Sequence, residues 1–242
     1  METRQGNVWG QSHAGYKRTT NEDRFLIHCL PGSQAVVLSV ADGMGGEAGG
    51  EIAAQIVIDA IEQSQIARHA TEQDMTRILE QAGKQIMQKA EEKPGLMDMG
   101  TTATVALVHD KTAYWSHVGD SRLYRFRTGF LEQISTDHTF VEDLVAEGAL
   151  SREEADRHPL RNMLDQCVGC PNLKAESGRF ALMPGDRLML CSDGLTRHLS
   201  DRHIQTALES GIPRQTVEVL IDQALRAGGK DNVTVIIMDI GA

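Results

Sequence analysis

An α+β fold is predicted, and three features of the chain predict it. Strand-like apolar runs come first, two stretches of helical periodicity follow, and a block of successive strands then precedes a second helical region and a closing strand. No internal repeat, low-complexity tract or linker divides residues 1–242, so one domain is expected.

The elements follow in order. Residues 25–30, FLIHCL, are short and apolar enough for a strand. AVVLSVA, residues 35–41, is apolar almost throughout, as a strand covered on both faces would be, and it stops at Asp42-Gly43. From Gly46 the period changes: Ile52, Ala53, Ile56, Val57, Ala60 and Ile61 recur at helical spacing. Met75, Ile78, Leu79, Ala82 and Ile86 carry a second amphipathic helix, which ends before Pro94-Gly95. TTATVALV, TAYWSHV, SRLYRFR and FLEQI then read as successive strands of a β-meander across residues 101–135. Residues 137–185 change character, with a short helix over 140–146, a capping box at Ser151 and Glu154, and a cysteine-containing loop; this stretch reads as a flap-like insertion. DRLMLCSDG returns to a buried strand, helices follow near 200–209 and 214–226, and NVTVIIMDI closes the pattern.

Composition excludes several functions. The chain carries 34 acidic against 24 basic residues, a net charge of -10, so no broad basic face exists for duplex nucleic acid or anionic membrane. With 4% aromatic residues, base-stacking platforms are excluded and the core must be aliphatic. No apolar stretch approaches the roughly 18 residues of a membrane span, and METRQGNVWGQ lacks the apolar centre of a secretory signal, so a cytoplasmic location is expected. Cys29, Cys167, Cys170 and Cys191 are too few and scattered for a disulfide framework. Cys167-Val168-Gly169-Cys170 is a lone CxxC without further zinc ligands, and a structural role is expected for it.

The chemistry lies in the acids. Asp42, Asp120 and Asp193 each terminate an apolar run, and Asp231 immediately precedes one. A single Asp-Gly is most often a turn, but four such acids on strands sharing a core would meet, because adjacent strand ends lie about 5 Å apart. Arg18 alone cannot neutralise them, and clustered anions must otherwise take up protons, so divalent cations are the expected remedy. Oxygen donors without paired histidines or converging thiolates favour Mg²⁺ or Mn²⁺ over zinc. Two such ions about 3.5–4 Å apart can hold a hydroxide between them, which makes phosphoryl transfer to water feasible; Arg18 is the natural partner for the phosphate. Gly43-Met44-Gly45-Gly46-Glu47-Ala48 also fits a dinucleotide fingerprint, but Asp42 and Glu47 would face a pyrophosphate with like charge, and a second helix stands where the parallel strand is required.

Six stretches then carry a resemblance: R18-TTNED-R24, A41-DGMGG-E47, M99-GTTATV-V105, V118-GDSR-L123, C191-SDGLT-R197 and K230-DNVTV-I236. Together, and in this order, they resemble the motifs of the metal-dependent protein serine/threonine phosphatases of the protein phosphatase 2C type, in a bacterial single-domain form. The resemblance implies a four-layer αββα sandwich, two antiparallel sheets flanked by helices, with a two-metal site at one end. It implies that Asp42 bridges both ions, that the Gly43 carbonyl and, through water, Glu22 serve one ion, and that Asp193 and Asp231 serve the other. Asp23 would orient metal-bound waters, Arg18 would hold the phosphoryl group, and Asp120 would help hold a third, weaker ion. Residues 137–185 correspond to the variable flap beside the site.

Met44 stands where many eukaryotic members have histidine and cannot donate a proton, so the leaving oxygen needs another acid: a metal-bound water first, His138 or His158 second. The expected function is hydrolysis of phosphoserine and phosphothreonine in protein substrates by in-line attack of the bridging hydroxide, with no covalent phosphoenzyme. The chain would act as a monomer opposing a serine/threonine kinase. The contrasting expectation is a non-catalytic phosphoprotein-binding module of the same fold.

Overall fold

Residues 1–3, 6–45, 49–64, 66 and 70–241 are described by a computed structural model. Gly46, Glu47 and Ala48 of the glycine-rich turn lie outside the described residues. The chain begins with β1 (Glu2–Thr3), β2 (Gly6–His13), β3 (Asp23–Cys29) and β4 (Val36–Met44), then α1 (Gly49–Gln63) and α2 (Glu72–Glu92). Next come β5 (Gly100–Thr101), β6 (Ala103–His109), β7 (Thr112–Val118), β8 (Arg122–Arg127) and β9 (Phe130–Gln133). Helices α3 (Phe140–Ala146) and α4 (Arg152–Arg157) precede β10 (Glu176–Ala181) and β11 (Arg187–Cys191). The last elements are α5 (Asp193–Thr196), α6 (Asp201–Leu208), α7 (Pro213–Arg226) and β12 (Val233–Asp239).

Two antiparallel sheets form. One has the order β1-β2-β12-β11-β8-β9 and the other β10-β7-β6-β4-β3, with β5 pairing β4. Alternation along each central strand explains why its apolar run is continuous. In β4, Val36, Leu38 and Val40 point between the sheets, where they meet Leu188, Leu190, Ile236 and Met238. Val37 and Ala41, on the other face, pack against Val57, Leu79 and Ile86 of α1 and α2. In β12 the odd residues Val233, Val235 and Ile237 pack instead against Ile204, Leu220 and Ile221 of α6 and α7. Three apolar layers therefore hold four structural layers together, as the resemblance implied. Leu38 is fully buried between the sheets; Leu38→Ala is expected to cost about 2–5 kcal/mol, read as a lowered urea midpoint with an unchanged slope.

Local signals place the helices well. The Ser151–Glu154 capping box opens α4, and Pro213 occupies the first turn of α7, where its missing N–H costs nothing. The structure corrects the sequence expectations at two places. The run from 101 to 135 is no meander: β6 and β7 pair in one sheet, but β8 pairs with β11 and β9 in the other. The chain changes sheets at Gly119-Asp120-Ser121, where Gly119 adopts φ +107 and a Cβ would strike the Thr102 side chain. Strand β4 runs through Asp42 and Gly43 to Met44 instead of stopping at Asp42. Within the stretch 137–185, Glu176–Ala181 form the edge strand beside β7. Cys167 and Cys170 are joined by a disulfide, and Val168 between them exchanges both backbone hydrogen bonds with Thr101 of β5.

Candidate active site

The strand ends at one edge of the sandwich build the site. Antiparallel pairing of β3 with β4 sets Asp23 directly opposite Asp42. The backbone of Asp42 is fixed on its other side: its N–H donates to Thr102 Oγ1 at 3.1 Å, and its carbonyl accepts from Thr102 N and Thr101 Oγ1, each at 2.9 Å. Gly43 lies so close to Gly50 at the start of α1 that a Cβ would come within 2.1 Å of the Gly50 carbonyl oxygen. Asp120 follows β7, Asp193 follows β11 as the first residue of α5, and Asp231 precedes β12.

The Arg18–Asp23 loop is tied to the β12 entry by one side chain. Asn232 accepts from Glu22 N at 2.8 Å and donates to the carbonyls of Ala14 and Thr20, each at 2.9 Å. Arg18 forms a two-point pair with Asp231, Nε to Oδ1 at 2.9 Å and Nη2 to Oδ2 at 3.0 Å, and not with its sequence neighbours Glu22 and Asp23.

A cavity of about 570 Å³ collects Arg18, Glu22, Asp42, Gly43, Asp120, Asp193 and Asp231, seven of the eight residues singled out in the sequence. Asp23, the eighth, stands behind it. Its Oδ2 accepts from Ser192 at 2.7 Å and from Thr234 at 2.6 Å, while its buried Oδ1 has no hydrogen-bond partner. Burial pushes the acids up, and neighbouring carboxylates add to it. Asp120 is raised to about 8 and Asp193 to about 6, in each case by burial, with Arg197 opposing the shift. Asp23 is raised to about 6 by burial, and Asp42 stands well above the usual carboxylate range because burial is reinforced by Asp23, Asp193, Asp120 and Asp231. Such a cluster either holds protons or takes up cations.

Arg197 is the residue that sequence reasoning missed. One turn after Asp193, it reaches back to pair with Asp193, with Asp120 at 3.4 Å and with Asp231 at 3.7 Å. The available signal was the i, i+4 spacing in Ser192-Asp193-Gly194-Leu195-Thr196-Arg197, legible only once 193–196 is known to be helical. His138 and His158 do not line the cavity. The His138 ring instead lies 4.9 Å from the buried His117 ring, tilted 56° to it, and His158 caps the C-terminus of α4 beside Phe140.

Hard oxygen donors, an orphaned buried carboxylate oxygen on Asp23 and a surplus of negative charge fit divalent cations. Among the described residues no group of three or more His, Cys, Asp or Glu side chains is arranged about one point to hold an ion. Arg18 and Arg197 are seated among the carboxylates instead.

The family profile described as protein phosphatase 2C matches residues 9–227. The chain belongs to the protein phosphatase 2C family. Serine/threonine protein phosphatase PstP of Mycobacterium tuberculosis is 37% identical over 234 residues, covering 95% of this chain and 44% of PstP, so the chain spans less than half the length of that relative. Protein phosphatase PhpP of Streptococcus pneumoniae is 32% identical over 233 residues, covering 93% of this chain and 94% of PhpP. The crystal structure of the PstP catalytic domain in complex with two manganese ions superposes with a TM-score of 0.87 at 33% identity, covering 98% of each chain. The sandwich is thus the protein phosphatase 2C fold, and its shared edge is where the carboxylates of this chain gather.

Proposed function

We propose that this protein phosphatase 2C member is an Mn²⁺- or Mg²⁺-dependent phosphatase that hydrolyses phosphoserine and phosphothreonine in proteins and opposes a serine/threonine kinase. The observation that supports it most is the gathering of Asp42, Asp120, Asp193, Asp231 and Glu22 round one cavity with Arg18 at its rim. Asp42, the Gly43 carbonyl, Glu22, Asp193 and Asp231 would hold a pair of divalent ions, with Asp120 at the far corner and Asp23 positioned behind them to order water. When bound, the ions supply a water acidified enough to attack phosphorus at neutral pH and neutralise developing phosphoryl charge.

The remaining work falls to the chain. Arg18 is half exposed, with 50% of its side-chain surface accessible, and a phosphate that enters can exchange places with Asp231 on its guanidinium fork. Asp231 would then be freed toward the cations. The Thr101 and Thr102 bonds hold Asp42 at fixed depth, and Asn232 fixes the loop that carries Arg18 and Glu22. With His138 and His158 away from the cavity, the leaving oxygen takes its proton from water in the site.

Hydrolysis of a phosphothreonine peptide with Mn²⁺, with and without EDTA, tests the reading: turnover should require the ion, and binding of the peptide without turnover would support the non-catalytic alternative. Arg18→Ala is expected to raise KM about 10- to 100-fold, the loss of a hydrogen bond to a charged group worth about 1.5–3 kcal/mol, in steady-state kinetics on the same peptide.

A further inference from the structure

We propose that the Arg197 guanidinium is the resident cation at the Asp120–Asp193 corner, so that this chain takes up two divalent ions and excludes a third. The proposal rests on the metal-dependent reading above and refines it.

The geometry is asymmetric across the site. Arg197 pairs with Asp193 and lies 3.4 Å from Asp120 Oδ2, so one guanidinium spans the two carboxylates at that corner. Asp42 is different: among the described residues no basic side chain forms an ion pair with it. Arg18 pairs with Asp231 from the opposite rim at 2.9 Å, where Arg197 comes only within 3.7 Å, and forms no ion pair with Asp120. A fixed cation therefore fills one corner, and the space around Asp42 and the orphaned Asp23 oxygen is left without one.

Arg197 is also held where it is needed. The last turn of α5 closes with its own N–H donating to the Asp193 carbonyl at 2.8 Å. The backbone that presents the Asp193 carboxylate thus also presents the guanidinium, and its capture carries no cost of bringing two molecules together. A guanidinium keeps its charge throughout the working pH range, so protons cannot release the corner. A divalent ion at Asp120 would have to displace a cation tethered one helical turn away, and would then stand beside its positive charge. Arg197 keeps 34% of its side-chain surface exposed against 10% for Asp120, so the acid is the more buried of the two.

The test counts ions. The purified full chain is stripped with EDTA and titrated with MnCl2, with bound Mn²⁺ followed by calorimetry and by loss of the free-ion electron paramagnetic resonance signal. Wild type is expected to bind two Mn²⁺ per chain and no third at millimolar ion. Arg197→Ala, checked for folding by circular dichroism, is expected to bind a third, and Arg197→Lys, which keeps the charge, to return to two. Asp120→Asn in the otherwise unaltered chain is expected to leave the count at two, an arm that does not depend on the arginine variants folding. Three ions in wild type, two in folded Arg197→Ala, or a fall to one in Asp120→Asn would each overturn the proposal while leaving the metal-dependent function standing. Absence of Mn²⁺ binding by wild type would overturn both.

Discussion

Asp42→Asn is expected to lower turnover of a phosphothreonine peptide by about 10³-fold or more and, in the metal-free protein at pH 8, to raise thermal stability. The two effects have one cause. Asp42 sits opposite Asp23 and beside Asp193, and burial together with those neighbours holds its carboxyl well above the usual range, so its ionised form is disfavoured in the fold. Asparagine keeps the shape and removes the charge. The backbone contacts that position residue 42, from Thr101 and Thr102, do not involve the side chain and survive. What is lost is the donor that would bridge two cations, and several kcal/mol of transition-state stabilisation correspond to about 10³ in rate. A gain of ~1 kcal/mol in the apo protein would move Tm by about 2–4 °C in a chain of this size. Steady-state kinetics with Mn²⁺ and differential scanning fluorimetry after EDTA measure the two sides. Near-normal turnover in the variant would remove Asp42 from the chemistry.

The metal-free protein is expected to lose stability as pH rises from about 4 to about 8, and Mn²⁺ should restore it at the upper end. The folded state holds Asp120 near 8 and Asp193 and Asp23 near 6, against an ordinary value of 3.8. Across that window the native chain binds more protons than the unfolded chain, so the dependence of unfolding free energy on pH is negative. Stability from these groups is complete below the ordinary carboxylate range and is lost as pH climbs through the folded values. Divalent ions reverse the sign, because they bind the deprotonated native cluster; at a concentration of 100 Kd they add about 2.7 kcal/mol. Thermal midpoints across pH 5–8, with EDTA and with Mn²⁺, should diverge as pH rises. A metal-free midpoint that climbs between pH 6 and 8 would contradict the buried-acid account.

Much of the fold was legible from local pattern. β4 and β12 are apolar along most of their length because each has a helix layer on one face and the other sheet on the opposite face, and that composition can be read without coordinates. Helix α3 and the Ser151 cap are likewise local events, set by periodicity and by one side chain bonding its own turn. The sheet change at Gly119–Ser121 was not legible. β7 and β8 are short, consecutive and suitably patterned to pair with each other, and only the competing partner β11, more than sixty residues later, draws β8 into the second sheet. The edge position of β10 was hidden for the same reason, since its partner β7 lies far back in the chain. Asp23 and Arg197 show the limit within the site. Both could be seen as charged residues near a motif, but the Ser192 and Thr234 hydroxyls that place Asp23 behind the cavity, and the three acids that surround Arg197, come from separate strand ends.

By itself the sequence determined which residues are apolar on two faces, where the acids stand relative to strand ends, and that their charge needs a counterion, because these follow from side-chain chemistry and short-range spacing. Tertiary structure alone decided which strands share a sheet, and that Arg18 answers Asp231 while Arg197 reaches Asp120 as well as Asp193 of its own turn. Those pairings depend on contacts between residues as much as 213 positions apart. Chain spacing says nothing of such distances until two sheets have packed.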